Sequence, residues 1–282
     1  MTAVPLWAWA ATLAVLAVLI VVDLVLTRGP ENGLRAAAVE SALWLAAALA
    51  FGGVLWLWRG PATGSQYLAG YLLERALSVD NVFVFVLLFV SLSVPSELQR
   101  RILFLGVVGA LVLRGVFIAA GGALIQHVSW IFYVFGAMVL VAGARMVTSG
   151  EGGSGNNLAV RGLRRVLPVS EHYDGGRLIT RAGGRAMATP LLVALVAIAV
   201  TDVVFALDSI PAVFGVTRDL FVVFTSNAFA VLGLRAMYFL LAGSADRFVY
   251  LKPGIALLLV FIGVKMLLYL SLIHISEPTR PY

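Results

Sequence analysis

Apolar residues along this 282-residue chain fall in long unbroken runs, separated by short stretches of charge, glycine and proline. A helix needs about 20 apolar residues to cross a bilayer. The runs therefore predict eight spans, near 5–26, 36–58, 66–92, 102–124, 128–148, 190–213, 219–242 and 254–273. The first lacks a short apolar core followed by a small-residue cleavage site and continues to Asp23, so it reads as a retained span rather than a signal peptide. The expected fold class is all-α, a polytopic membrane helical bundle. Composition agrees, with a mean hydropathy of +1.01, 61% apolar residues and 12% charged, against about 25% charged in an ordinary soluble domain. That excludes a large water-soluble domain.

Charge then supplies an orientation. Counted over alternate loops, Lys and Arg number thirteen on one side and two, Arg59 and Arg218, on the other. Such an excess marks the cytoplasmic side, which puts the N-terminus outside and the loop 149–189 in the cytoplasm. That loop opens as a Gly/Ser-rich linker from Ser149 to Asn157 and then turns basic. It reads as a solvated connector against anionic headgroups or as a regulatory gate. The net charge of +6 comes with no basic run interleaved with aromatics, so nucleic acid is not an expected partner.

Two segments repeat a pattern. Glu74-Arg75-Ala76-Leu77-Ser78-Val79-Asp80-Asn81 and Asp202-Val203-Val204-Phe205-Ala206-Leu207-Asp208-Ser209 each place an acid six residues before an aspartate that a small polar residue follows. An arginine in the next helix trails each, Arg114 and Arg235, and the helix after that carries Arg145-Met146 or Lys265-Met266. A unit of three spans enters the membrane from the opposite side on its second copy, which predicts an inverted repeat of the kind found in transporters. The expected organisation is a two-helix element at 1–65, repeat 1 at 66–148, the loop at 149–189, repeat 2 at 190–270, and a tail at 271–282. The tail resembles a translated adaptor rather than native protein, and the natural chain is expected to continue into a ninth helix.

Asp23, Glu40, Glu74, Asp80, Asp202 and Asp208 all fall within these spans, where an ionised carboxylate costs about 2.5–3.5 kcal/mol. Pairing with Arg75, Arg114, Arg235 and Lys265 would neutralise four of them in a network that fixes helix register. Two negative charges remain, which one divalent cation would balance. At 100° per residue Ser78 and Asn81 lie about 40° and 20° from Glu74 while Asp80 points about 120° away, so both acids join one site only between packed helices or where a helix unwinds. Pro211 is the expected break in the second motif, freeing the carbonyl of Leu207. Carboxylate, amide, hydroxyl and carbonyl oxygens suit Mn²⁺, Mg²⁺ or Ca²⁺. Thr225, Ser226 and Asn227 form a polar step that lines a pathway or bonds a neighbouring helix.

Other chemistries find little support. With no cysteine, thiolate metal sites, iron–sulfur clusters and cysteine nucleophiles are absent. His127, His172 and His274 have no second histidine at a metal spacing. No Gly-x-Ser-x-Gly elbow or His-Glu-x-x-His pair occurs, and the settings of the paired aspartates do not match an intramembrane aspartyl protease. The chain is not expected to be an enzyme or to need a cofactor.

The stretch Tyr71 to Phe85, followed by Val94-Pro95 and Gln99-Arg100-Arg101, resembles the first signature of the TerC/Alx family of integral membrane proteins. Asp202 to Ala212, Thr225-Ser226-Asn227 and Leu232 to Phe239 resemble its longest motif. The likeness runs from about Asp23 to Met266. It implies a bacterial inner-membrane protein associated with tellurium resistance by name and with Mn²⁺ export. It further implies a central metal site of Asp80, Asn81, Asp208 and Ser209, supported by Glu74, Asp202 and Asn227. Ala199 departs from the family, which often has an acid there.

The function expected is a secondary transporter exporting divalent metal ions, Mn²⁺ foremost, by alternating access coupled to a proton or sodium flux. Arg114 and Arg235 are expected to pair with Glu74, Asp202 or the acids of the first two helices and to act in gating. The alternative is a membrane scaffold that recruits partners through the basic loop. Besides the lipid bilayer and the ion, the sequence names no partner and leaves the oligomeric state open.

Overall fold

The computed structural model describes residues 4–26, 34–127, 133–138, 140–141, 168–170, 173–182 and 185–242, with single helical positions at 257, 260, 261 and 264. Its helices are α1 (Leu6–Leu26), α2 (Leu34–Arg59), α3 (Pro61–Ser91), α4 (Ser96–His127), α5 (Pro190–Val216), α6 (Leu220–Leu232) and α7 (Leu234–Ala242). The predicted spans 128–148 and 254–273 lie largely outside the described residues. Among the described residues four helices, α1, α2, α4 and α5, are long and apolar enough to cross a membrane, and α6 with α7, which meet at a 40° bend, are so only when taken together.

Local sequence explains where the helices begin. α3 starts at Pro61, whose ring presets a helical φ, directly after Gly60 at φ 92°, ψ 168°, so α2 reverses into α3 within one residue. Asp219 caps α6 by accepting bonds from the amides of Phe221 and Val222, and its other oxygen receives Arg59 Nη1 at 2.5 Å. The end of α2 is thereby tied to the start of α6.

Pro211 does not break α5. The helix runs unbroken through it, with Ile210, Pro211, Ala212, Val213 and Phe214 all buried. Proline's fixed φ is helical and only one backbone bond is forfeited, which tight packing on neighbouring helices tolerates. The break falls instead at Gly233, inside the run expected to be one continuous helix over 219–242.

The core lies where α3 passes between α2, α5 and α6. Tyr67, Tyr71, Phe85, Leu88 and Phe89 of α3 are buried there with Phe229 and Tyr238. The outer faces of α1 and α2 show the reverse, with Leu6, Val18, Val39 and Leu57 exposed. Apolar side chains on the outside are what a lipid-facing helix requires.

Part of the loop 149–189 has regular structure. β1 (Ile179–Ala182) pairs antiparallel with β2 (Arg185–Ala188), with Ile179 opposite Ala188 and Thr180 opposite Met187. The hairpin sits under the α3–α4 turn, where the Tyr173 hydroxyl donates to the carbonyl of Leu92 at 2.8 Å. Burial raises the Tyr173 pKa above the ordinary tyrosine value, so the hydroxyl keeps its proton and the bond persists below strongly alkaline pH.

Gly60 occupies a backbone region that side chains avoid. Gly60→Ala is expected to cost about 1–3 kcal/mol. Gly53→Ala, in mid-helix with nothing within 4 Å of a new Cβ, should be neutral or stabilising. Thermal unfolding of the detergent-purified variants measures both.

Candidate functional site

Two arginines inside the helix bundle organise its acids. Arg114, on α4, is 1% exposed. Its Nη2 donates to Asp202 Oδ1 of α5 at 2.9 Å, and its Nε is 3.3 Å from both oxygens of that carboxylate. Nη1 donates to Glu74 Oε1 of α3 and to Asn227 Oδ1 of α6 at 3.3 Å. One guanidinium therefore ties four helices. The planar fork of arginine suits this, because its donors diverge toward separate acceptors while the charge stays fixed.

Arg235, on α7, makes the second cluster. Its Nη2 donates to Asp23 Oδ1 of α1 at 2.7 Å and to Glu40 Oε1 of α2 at 2.6 Å. Both pairings follow the expectation that these arginines would seek the intramembrane acids. The two clusters differ in one respect. Arg114 takes an acid from each of the two sequence motifs, Glu74 and Asp202, whereas Arg235 takes Asp23 and Glu40 from the first two helices.

Around Arg114 lie further polar atoms. Seven residues along a helix return to nearly the same face, about 20° off, so Asn81 shares a face with Glu74 and Ser209 shares one with Asp202. All four are buried. Among the described residues Glu74 Oε2, Ser78 Oγ, Ser209 Oγ and Asn227 Nδ2 are buried and find no hydrogen-bond partner, as is the case for the Tyr71 hydroxyl one turn before Glu74. Buried polar groups are rarely left unsatisfied in a folded protein, so this concentration needs a cause. Asp208 is half-buried on α5, six residues after Asp202. The side chain of Asp80 lies outside the described residues.

Of the expected site residues, the structure thus brings Glu74, Asp202 and Asn227 onto Arg114, with Ser209 and Asp208 on the adjoining α5. Among the described residues no three acids or histidines converge closely enough to hold a metal ion. The physical reason is Arg114, whose guanidinium stands between Glu74 and Asp202. Thr225 and Ser226 turn away from the site, their hydroxyls donating to Phe221, Val222 and Val223 carbonyls of their own helix. Hydroxyls in an apolar helix satisfy themselves this way when no better acceptor is near. Arg75, expected to neutralise an acid, pairs with no carboxylate among the described residues. It donates to the carbonyl of Ala230 at 3.3 Å. The Tyr71 hydroxyl was not legible as a site atom, because a tyrosine in an apolar helix carries no signal of where its tip ends.

Buried charge clusters between apolar, lipid-facing helices define a polytopic integral membrane protein. Residues 59–279 match the family described as Integral membrane protein TerC family, and the chain belongs to that family. It is 44% identical over 273 residues to the protein named "Putative membrane-bound redox modulator Alx" of Escherichia coli (strain K12), covering 92% of this chain and 85% of that one. It is 46% identical over 228 residues to "Uncharacterized membrane protein STKORF319" of Myxococcus xanthus, covering 80% of this chain and 72% of that one. It is 44% identical over 237 residues to "Thylakoid membrane protein TERC, chloroplastic" of Arabidopsis thaliana, covering 83% and 62%. No solved structure matches it.

Removing the guanidinium alone strands two buried carboxylates. Arg114→Met is expected to destabilise the protein by about 3–5 kcal/mol. Combining it with Glu74→Gln and Asp202→Asn should restore most of that loss, since no buried charge then lacks a partner. The fraction of monodisperse protein after heating in detergent reports the comparison.

Proposed function

We propose that this chain is a secondary transporter that exports divalent metal ions, Mn²⁺ foremost, from the bacterial cytoplasm. The observation that carries the reading is the charge balance of the buried site. Glu74, Asp202 and Asp208 set three carboxylates against the one guanidinium of Arg114, a formal surplus of two negative charges that a divalent cation cancels. Unpartnered oxygens of Glu74, Ser78 and Ser209 stand beside that surplus, and such hard oxygen donors suit Mn²⁺, Mg²⁺ and Ca²⁺. Asp80 and Asn81, by their place in the first motif, complete the proposed ligand set with Asp208, Ser209, Glu74, Asp202 and Asn227.

Arg114 then acts as a tethered cation. With no ion bound it satisfies Glu74 and Asp202, which lets the acids stay charged in an apolar interior. An arriving ion competes for those oxygens, and release of the guanidinium frees the four helices it holds. Opening to one side and then the other follows from that exchange, with a proton or sodium ion returning by the same acids. A cluster buried in the bundle interior is where a transport site is expected. The basic loop faces the cytoplasm in this reading and the N-terminus faces out.

The Escherichia coli relative is named for redox modulation. This chain has no cysteine, so an effect of that kind here would run through metal balance rather than thiol exchange.

Expression in an exporter-deficient bacterium tests the reading by elemental analysis of cell manganese. The chain should lower it, and Asp208→Asn and Asp80→Asn should abolish the effect at equal membrane abundance. Unchanged manganese in cells carrying the unmodified chain contradicts the proposal. Protons compete with the ion for the carboxylates, so flux measured in vesicles should weaken as pH falls far enough to protonate them.

A further inference from the structure

The span made by α6 and α7 is bent by 40° at Gly233, and a helix that stops inside a membrane leaves its last carbonyls in need of donors. Arg75 reaches across from α3 to supply one, its Nη1 lying 3.3 Å from the carbonyl of Ala230. The guanidinium packs so closely on Gly233 that a Cβ there would collide with Nη1. Gly233 itself sits at φ −82°, ψ 0°, an ordinary right-handed conformation open to alanine. The glycine is therefore not required by the backbone. It leaves room for Arg75.

The neighbours of this contact give it consequence. Glu74, one residue before Arg75, holds Arg114. Arg235, two residues after Gly233, clamps Asp23 of α1 and Glu40 of α2. The contact of Arg75 with Ala230 and Gly233 thus joins the two ionic clusters across space, beside the covalent link through α6 from Asn227 to Arg235. We propose that Arg75 is a positioning residue that couples the state of the Arg114 cluster to the bend at Gly233, and through Arg235 to the α1–α2 pair. When Glu74 changes partner, α3 carries Arg75 with it. The hold on the Ala230 carbonyl changes, and α7 moves with the two helices clamped to it. The role rests on the proposed transport reading for its purpose, while the mechanical link can be measured without metal.

The absence of native cysteines permits paired spin labels at Val39 and Val112, both lipid-facing, on α2 beside Glu40 and on α4 near Arg114. Four variants are compared with the parent: Gly233→Ala, Arg75→Gln, Arg75→Lys and the double Gly233→Ala/Arg75→Gln. Coupling predicts that Gly233→Ala and Arg75→Gln shift the metal-free distance distribution in the same direction, and that the double shifts it no further than either alone. It also predicts that Mn²⁺ affinity of the purified protein stays within about twofold while maximal transport falls about tenfold, with no extra loss in the double. Arg75→Lys, which keeps the charge and one donor, should recover part of the rate. Additive losses in the double, or parental distances and rates in Gly233→Ala, overturn the coupling. If the parent neither binds nor moves Mn²⁺ yet the three distance shifts coincide, the transport reading fails and the mechanical link stands.

Discussion

Taking a guanidinium and two carboxylates out of water costs several kcal/mol per ion even after relaxation, and Arg114, Glu74 and Asp202 are all buried between helices. Only close mutual bonding offsets that cost. Each partner comes from a different helix, so meeting it fixes the relative placement of α3, α4, α5 and α6. Apolar packing alone would leave these helices freer to slide, since lipid tails are as apolar as leucine and give little drive to association. The cluster therefore sets the register of the bundle. The same bonds carry the potential for function, because charges held only by each other can be exchanged for another ion of suitable charge.

The second cluster extends the logic to the periphery. α1 and α2 show lipid-facing apolar side chains over much of their surface, and their polar links to the rest of the bundle include Asp23 and Glu40 on Arg235, Arg59 on Asp219 at the other end of α2, and the Tyr67 hydroxyl donating to the Ala48 carbonyl. Their buried faces also belong to the core, through Leu16, Trp44, Ala48 and Leu55, so any movement of the pair has to slide along that packed face. The break at Gly233 lies between Arg235 and Asn227, so the bent span touches both clusters at once. Bend, clamp and central cation form one connected polar system inside an otherwise apolar molecule.

Much of this was legible in the sequence, and for a physical reason. A charge in an apolar run is expensive enough that its partner must lie in another such run, so Arg114 and Arg235 could be expected to pair with Glu74, Asp202 or the acids of the first two helices, while which arginine takes which acids came only from the packing. Helical periodicity likewise placed Ser78 and Asn81 on the Glu74 face. What stayed hidden depended on contacts without periodic signal. Arg75 takes a backbone carbonyl rather than a carboxylate, which only the break at Gly233 makes available. Pro211 reads as a helix breaker, yet packing from Ile210 to Phe214 keeps α5 whole. The strands at 179–188 are only four residues each, too short to stand out within a loop read as solvated, and the segment before them docks through Tyr173 and Leu178, two residues that carry no periodic signal.

On the proposed reading the surplus negative charge around Arg114 is a site for a divalent cation. Its most direct test is a Mn²⁺ titration of the purified protein in detergent, followed by the loss of the free-ion electron paramagnetic resonance signal. Saturable binding of one Mn²⁺ per chain that disappears in Asp208→Asn is the expected result. Binding of equal strength in Asp208→Asn, or none in the unmodified chain, would contradict it.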